Sequence, residues 1–273
     1  MIAPTGCRRR FLCQYRTTTA VIALAIFIPL IIYGHWPLTI AAVALGIVAM
    51  SEVLVMKKMF VISFEALISY LGVALLILPD SWLDFLPSVA TRWFGFYILV
   101  VLLLLHTVIR KQRFTFDDAG VLTLAMLYIG MGFRYFIAAR AINFQTLLYG
   151  MLIVWITDSG AYLIGRKLGK NKLAPKISPN KTWEGSIGGT LAAVIILAVY
   201  CYFIPVGAGW VTMIFVTLIL SIFGQFGDLI ESSLKRYYGV KDSGKILPGH
   251  GGILDRFDSM LIVMPMLHLL GII

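Results

Sequence analysis

The residues best equipped for chemistry lie between Ser233 and Asp258, SLKRYYGVKDSGKILPGHGGILDRFD. In a chain that is 60% hydrophobic, this run gathers Lys235, Arg236, Lys241, Lys245 and Arg256 with His250 and the carboxylates Asp242, Asp255 and Asp258. Pro248, Gly249, Gly251 and Gly252 bend its middle. Cations that bind polyanions, set beside oxygen ligands for a hard metal, suit a nucleoside triphosphate with its divalent ion. A basic loop solvated on one side of a membrane accounts equally for the composition, but not for the order of the residues.

Three further constellations belong with it. Asp158 stands near the end of an apolar run, where an isolated charge costs a few kcal/mol unless it is paired, hydrated or metal-bound. The alternative there is a structural ion pair with a nearby lysine. Gly160, Ala161 and Gly165 on that run permit close helix contact, as do Gly188 and Gly189 on a later one. The loop that follows carries Arg166, Lys167, Lys170, Lys172, Lys176 and Lys181 with Pro175 and Pro179, which argues against a long helix. Thr182 is placed to cap the next helix with Glu184 in its first turn, and a helix start among lysines suits a phosphate. On a helix, Asp228, Glu231, Ser232 and Lys235 share one face, although Glu231 and Lys235 could merely pair with each other. Asp255 and Asp258, spaced i, i+3, share a face at a helix start. Two carboxylates so placed can hold magnesium while leaving positions for phosphate oxygens; simple capping of the helix is the plainer reading.

The elements that must position these groups are membrane helices. With 273 residues and only 13% charged, the chain reads as an all-α, polytopic integral membrane protein. Nine apolar runs are long enough to span: 18–34, 37–56, 59–78, 93–109, 119–138, 143–165, 185–204, 209–233 and 254–272. An N-in, C-out arrangement puts all of the 23 lysines and arginines except Arg92, Arg134 and Arg140 on the cytoplasmic side. The net charge of +10 is thereby assigned to topology and to lipid or nucleotide phosphates, and nucleic acid is not expected. Cys7, Cys13 and Cys201 form neither a metal-ligand spacing nor a disulfide framework. The arginines ahead of the first apolar run resemble a signal peptide, but further spans follow, so a retained first helix is expected. Residues 1–140 read as scaffold, lipid contact or dimer surface. Residues 141–273 read as the catalytic region, with cytoplasmic loops at 166–184 and 234–253. Glu52 and Glu65, near span ends, read as interfacial or paired.

Lys235-Arg236, Lys241-Asp242-x-Gly244 and Leu247-Pro248-x-His250-Gly251-Gly252-x-x-Asp255-Arg256-x-Asp258 resemble the signature of the phosphatidate cytidylyltransferases, the CDP-diacylglycerol synthases. Thr157-Asp158-Ser159-x-Ala161-Tyr162, Ile177-Ser178-Pro179-x-Lys181-Thr182-x-Glu184-Gly185 and Gly227-Asp228-Leu229 resemble the family too, with Asn180 where lysine is more usual. The resemblance covers roughly residues 155–260. It implies transfer of CMP from CTP to phosphatidic acid, giving CDP-diacylglycerol and pyrophosphate with Mg2+, alongside a monovalent cation such as K+. By resemblance, Asp228 and Asp255 carry the metal site with Asp258 in support. Lys235, Arg236, Lys241, His250 and Arg256 join the catalytic groups. Asp158, Arg166, Lys167, Lys172, Ser178, Lys181, Thr182, Lys245, Gly251 and Gly252 bind substrate. A homodimer in the inner membrane of a bacterial cell, its site facing the cytoplasm, is expected. The alternatives are a CTP-dependent polyprenol kinase, which would need a general base for its alcohol, and a lipid transporter, for which two repeated halves are expected but not seen.

Overall fold

Away from water a backbone must satisfy its own polar groups, so long apolar runs bounded by charged or turn-forming residues fold as helices. A computed structural model describes residues 25–84, 87, 91–110, 113–244, 246 and 251–273. Among them run α1 (residues 25–33), α2 (His35–Met56), α3 (Phe64–Ile77), α4 (Arg92–Ile109) and α5 (Phe116–Ile142). Then come α6 (Phe144–Leu168), strands β1 (Lys172–Ala174) and β2 (Ser178–Thr182), α7 (Trp183–Phe203), α8 (Trp210–Tyr237), the short α9 (Leu254–Phe257) and α10 (Met260–Leu269). Six of these helices, α2 and α4 to α8, are long and apolar enough to cross a membrane. Trp36, Trp93, Trp183 and Trp210 stand exposed in the first turns of α2, α4, α7 and α8, the depth at which an amphipathic ring suits a membrane interface.

Three expectations need correction. The chain is nearly, not wholly, α-helical: β1 and β2 pair antiparallel, Lys172 opposite Thr182 and Ala174 opposite Ser178. The prolines and lysines that forbid a helix there leave an extended ribbon as the way to satisfy the backbone. The run at 59–78 yields a helix of only 14 residues. The run at 254–272 is divided, because the Asp258 carbonyl accepts the Tyr128 hydroxyl (3.1 Å) where α9 gives way to α10. Of the run at 18–34, residues 25–33 are helical; Cys7, Cys13 and the first arginines lie outside the described residues.

α5 binds the two halves together. Its Leu122, Met126, Ile129 and Phe133 join an apolar cluster with α2, α3 and α4. Its Phe136 and Ala139 join a second cluster with α6, α8 and α10. Arg92, Arg134 and Arg140, the exceptions to the charge bias, all serve helix ends. Arg92 donates to the carbonyls of Leu75 (3.2 Å) and Leu78 at the end of α3. It and Arg134 meet Asp80 at 3.0 and 2.9 Å. Arg140 donates to the carbonyls of Ile31 and Ile32, both at 2.6 Å, at the end of α1. Carbonyls left over at a helix terminus need such donors.

α6 and α7 approach closely because small residues line the seam. A Cβ on Gly189 would lie 2.5 Å from the Thr157 carbonyl oxygen, and one on Gly185 would lie 2.7 Å from that of Ala161. This contact aligns the two helices that flank the cavity described below. Gly189→Leu should therefore destabilise the protein by about 1–3 kcal/mol, the range for overpacking, read as a lower unfolding temperature in detergent. Gly209→Ala, where a Cβ meets nothing within 4 Å, should leave that temperature unchanged.

Candidate active site

The polar residues singled out in the sequence converge on one cavity of about 1410 Å3 between α6, α7, α8, the β-hairpin and the segment around α9. α6 offers Asp158, Ala161, Tyr162, Gly165 and Arg166 along one face. The hairpin adds Lys172, Lys181 and Thr182; α8 adds Gln225, Asp228 and Lys235; the last segment adds Lys241, Asp242, Gly251, Asp255, Arg256 and Asp258. The volume exceeds the usual small-molecule pocket of about 300–1,000 Å3 and suits two substrates at once.

Each wall has a local cause. Thr182 caps α7, its hydroxyl accepting from Gly185 N–H at 3.2 Å. Glu184, in the first turn, accepts from Asn171 Nδ2 at 2.7 Å and from the N–H groups of Asn171 and Lys170 at 3.1 Å. The start of the hairpin is thereby fixed to α7. On α8, Ser232 donates to Asp228 Oδ1 at 3.2 Å, and Lys181 reaches across to Asp228 Oδ2 at 2.6 Å. Lys181, a lysine near Asp158, thus pairs with Asp228, and Asp158 faces the cavity. Gln225, one turn deeper, donates to Thr190 Oγ1 at 2.9 Å and ties α8 to α7.

The strongest charge cluster centres on Lys235. Its ammonium lies 2.5 Å from Glu231 Oε2 and 2.7 Å from Asp255 Oδ1, joining α8 to α9. Glu231 is fully buried. The other oxygen of Asp255 accepts from Gly252 N–H (2.8 Å) and Ser243 N–H (2.9 Å), with the Ser243 hydroxyl 3.0 Å away. Gly227 lets α8 close on the turn at Asp258, since a Cβ there would lie 2.8 Å from the Asp258 carbonyl oxygen.

A hard divalent ion requires anionic oxygens with acceptor sites to spare. Asp158 and Asp258 both feel the negative charge of Asp228, and Asp258 that of Asp158 as well. A carboxylate has about four acceptor sites, more than Lys181 and Ser232 fill on Asp228 or the Ser259 N–H (2.7 Å) fills on Asp258. Among the described residues no three acidic, histidine or cysteine side chains converge as a ready-made cage. Magnesium is commonly held by one or two carboxylates with substrate phosphates completing its shell, and the arrangement fits that mode.

Some expected residues stand elsewhere. Arg236 donates to the carbonyls of Ile177 and Val240, both at 3.2 Å, and braces the hairpin against α8 instead of lining the cavity. Lys167, Ser178 and Gly252 are also absent from its lining, Gly252 lying behind Asp255. Lys245 and His250 lie outside the described residues. Two contributors went unassigned in the sequence: Asp242, which lines the cavity, and Glu52, whose carboxylate reaches the α9 segment. Asp242 lay within the charged run; Glu52 carried no signal beyond a carboxylate near a span end.

Lys235 separates two carboxylates away from water, and removing one member of such a group costs about 3–5 kcal/mol. Lys235→Met should lower the unfolding temperature sharply, and adding Glu231→Gln should recover part of the loss. Full stability of Lys235→Met alone would contradict the account of the cluster.

Comparison with known proteins agrees with this geometry. A model of the cytidylyltransferase family matches residues 14–273. The phosphatidate cytidylyltransferase of Bacillus subtilis is 46% identical over 260 residues, 94% of this chain and 97% of its own. That of Staphylococcus haemolyticus is 45% identical over 257 residues, 94% of this chain and 98% of its own. That of Staphylococcus aureus is 44% identical over 260 residues, again 94% of this chain and 98% of its own. With the match running through every wall of the cavity, the chain belongs to the cytidylyltransferase family and, within it, to the phosphatidate cytidylyltransferases.

Proposed function

We propose that the protein joins CTP and phosphatidic acid into CDP-diacylglycerol, releasing pyrophosphate. The observation that carries this reading is the cavity in which cations from α6, the hairpin, α8 and the segment around α9 face the carboxylates of Asp158, Asp228, Asp255 and Asp258. A phosphate oxygen of the lipid attacks the α-phosphorus of CTP. A new P–O bond forms there, the bond to the β-phosphate breaks, and the electron pair leaves with pyrophosphate. The lipid phosphate is already an anion, so the nucleophile needs no strong base. The barrier lies in bringing two anions together in line.

Lys172, Lys181, Lys241, Arg166 and Arg256 offset that repulsion from the cavity walls. Lys235, paired with two carboxylates, acts by holding Asp255 at a fixed point on the cavity wall. Asp228 and Asp255, with Asp258 in support, would hold Mg2+, which supplies Lewis-acid neutralisation of the triphosphate; a monovalent cation such as K+ would accompany it. Lys245 and His250 complete the nucleotide loop in this reading, and Ser178, Lys167 and Arg236 support the hairpin side. A polyprenol kinase is disfavoured by the relatives at 44–46% identity, which are named phosphatidate cytidylyltransferases.

The setting follows from the same reading. Nine spans with the N-terminus inside, α3 and the α9–α10 segment counted as short ones beside the longer helices, would in a bacterial inner membrane put the cavity at the cytoplasmic interface, where CTP and the lipid phosphate meet. Residues 141–273 hold the catalytic region and residues 1–140 support it, with a homodimer formed through the latter. The exposed tryptophans at helix starts and the structural employment of Arg92, Arg134 and Arg140 support this arrangement.

Detergent-purified protein given labelled CTP, phosphatidate and Mg2+ should form CDP-lipid and pyrophosphate, and chelation of the metal should abolish this. Asp228→Asn should reduce turnover by about 10²–10³-fold, the scale on which a fixed electrostatic contact acts. Label moved from γ-labelled CTP to a polyprenol, with no CDP-lipid, would overturn the reading.

A further inference from the structure

Glu52 lies on α2, in the half of the chain whose described residues do not line the cavity. It is 2% exposed, yet its carboxylate reaches the α9 segment 201 and 202 residues later. Oε1 accepts from Ile253 N–H at 2.8 Å. Oε2 accepts from Leu254 N–H at 2.9 Å, and the Ser243 hydroxyl, 2.9 Å from it and 3.0 Å from Asp255 Oδ2, shares its one proton between the two carboxylates. α9 has no side-chain cap of its own, so Glu52 does this from another helix. The backbone closes tightly around it: a Cβ on Gly244 would lie 2.6 Å from Glu52 Oε1, and one on Gly252 would collide with both Glu52 and Ser243. Ser243 and Gly252, the residues pressed against Glu52, are the ones whose N–H groups hold Asp255 Oδ2.

We propose that Glu52 is a positioning residue for the reaction: it anchors the segment at 243–254 so that Asp255 is presented to Lys235 and the cavity at a fixed place. The inference rests on the reading of the cavity as a site for CTP and Mg2+. It makes the N-terminal half part of the active site rather than a passive support. Both oxygens of the carboxylate are needed, because a glutamine would turn its NH2 toward one of the two N–H groups it now satisfies. Loss of a supporting contact of this kind typically costs about 10–100-fold in metal affinity or activity.

The test compares wild type with Glu52→Gln, Glu52→Asp and, as a control, Glu65→Gln, whose carboxylate pairs with His106 at 2.9 Å. Two quantities are measured: the Mg2+ dependence of CDP-lipid formation, and the rise in unfolding temperature produced by Mg2+ and CTP, which needs no turnover. Glu52→Gln should raise the Mg2+ requirement at least about tenfold and shrink the ligand-induced rise. Glu52→Asp, which keeps charge and both oxygens, should recover part, and Glu65→Gln should match wild type. Wild-type Mg2+ dependence and wild-type ligand stabilisation in Glu52→Gln would overturn the proposal. Should Glu52→Gln fail to fold, Ser243→Ala must show the same raised Mg2+ requirement, and wild-type values there would overturn it equally. If wild type forms no CDP-lipid, the functional reading fails on its own, and the ligand-induced stabilisation still decides whether Glu52 supports the site.

Discussion

A lysine held between two carboxylates at the mouth of an apolar bundle is the interaction on which the polar half of this molecule depends. Lys235 meets Glu231 on its own helix and Asp255 on the next segment, so one ammonium fixes the end of α8 to α9. Without it two anions would face each other in a place with little water to shield them. Much of the surrounding order serves the same end. Gly227 brings α8 against the turn at Asp258, Ser243 and Gly252 hold the far oxygen of Asp255, and Lys181 crosses from the hairpin to Asp228. The charges in the cavity are therefore not a solvated collection. They are a network whose members set one another's positions.

That network was legible wherever its members are neighbours along one helix. The face shared by Asp228, Ser232 and Lys235 follows from helical spacing alone, and the structure shows the contact of Ser232 with Asp228 and that of Lys235 with Glu231. Thr182 as the cap of α7 could be read from its place before an apolar run. The small residues between α6 and α7 announced a close approach that the structure contains. Runs of apolar residues located α2 and α4 to α8 to within about four residues, because a span must be apolar over its whole length.

What stayed hidden depends on contacts between segments distant in sequence. Glu52 meets Ile253 and Leu254 across about two hundred residues, and no local pattern marks such a partner. The employment of Arg236 on the carbonyls of Ile177 and Val240 was likewise invisible: a basic side chain in a basic loop reads as a phosphate ligand until its partners are seen. The β-hairpin was missed because two short strands containing a proline and several lysines lack the alternation that marks a strand. The division between α9 and α10 rests on a hydroxyl from α5, Tyr128, which the apolar run itself does not reveal.

The hairpin bears on how a highly charged guest would be received. Glu184 holds its entry from α7 and Arg236 holds its turn from α8, so the ribbon carrying Lys172 and Lys181 is moored at both ends. A lysine on a loose loop must give up its freedom when an anion arrives, and that loss weakens the encounter. Here the ordering is completed when the chain folds. The ribbon acts as a fixed quay rather than a closing hand, and discrimination among arriving anions falls to the spacing of its charges instead of to a movement.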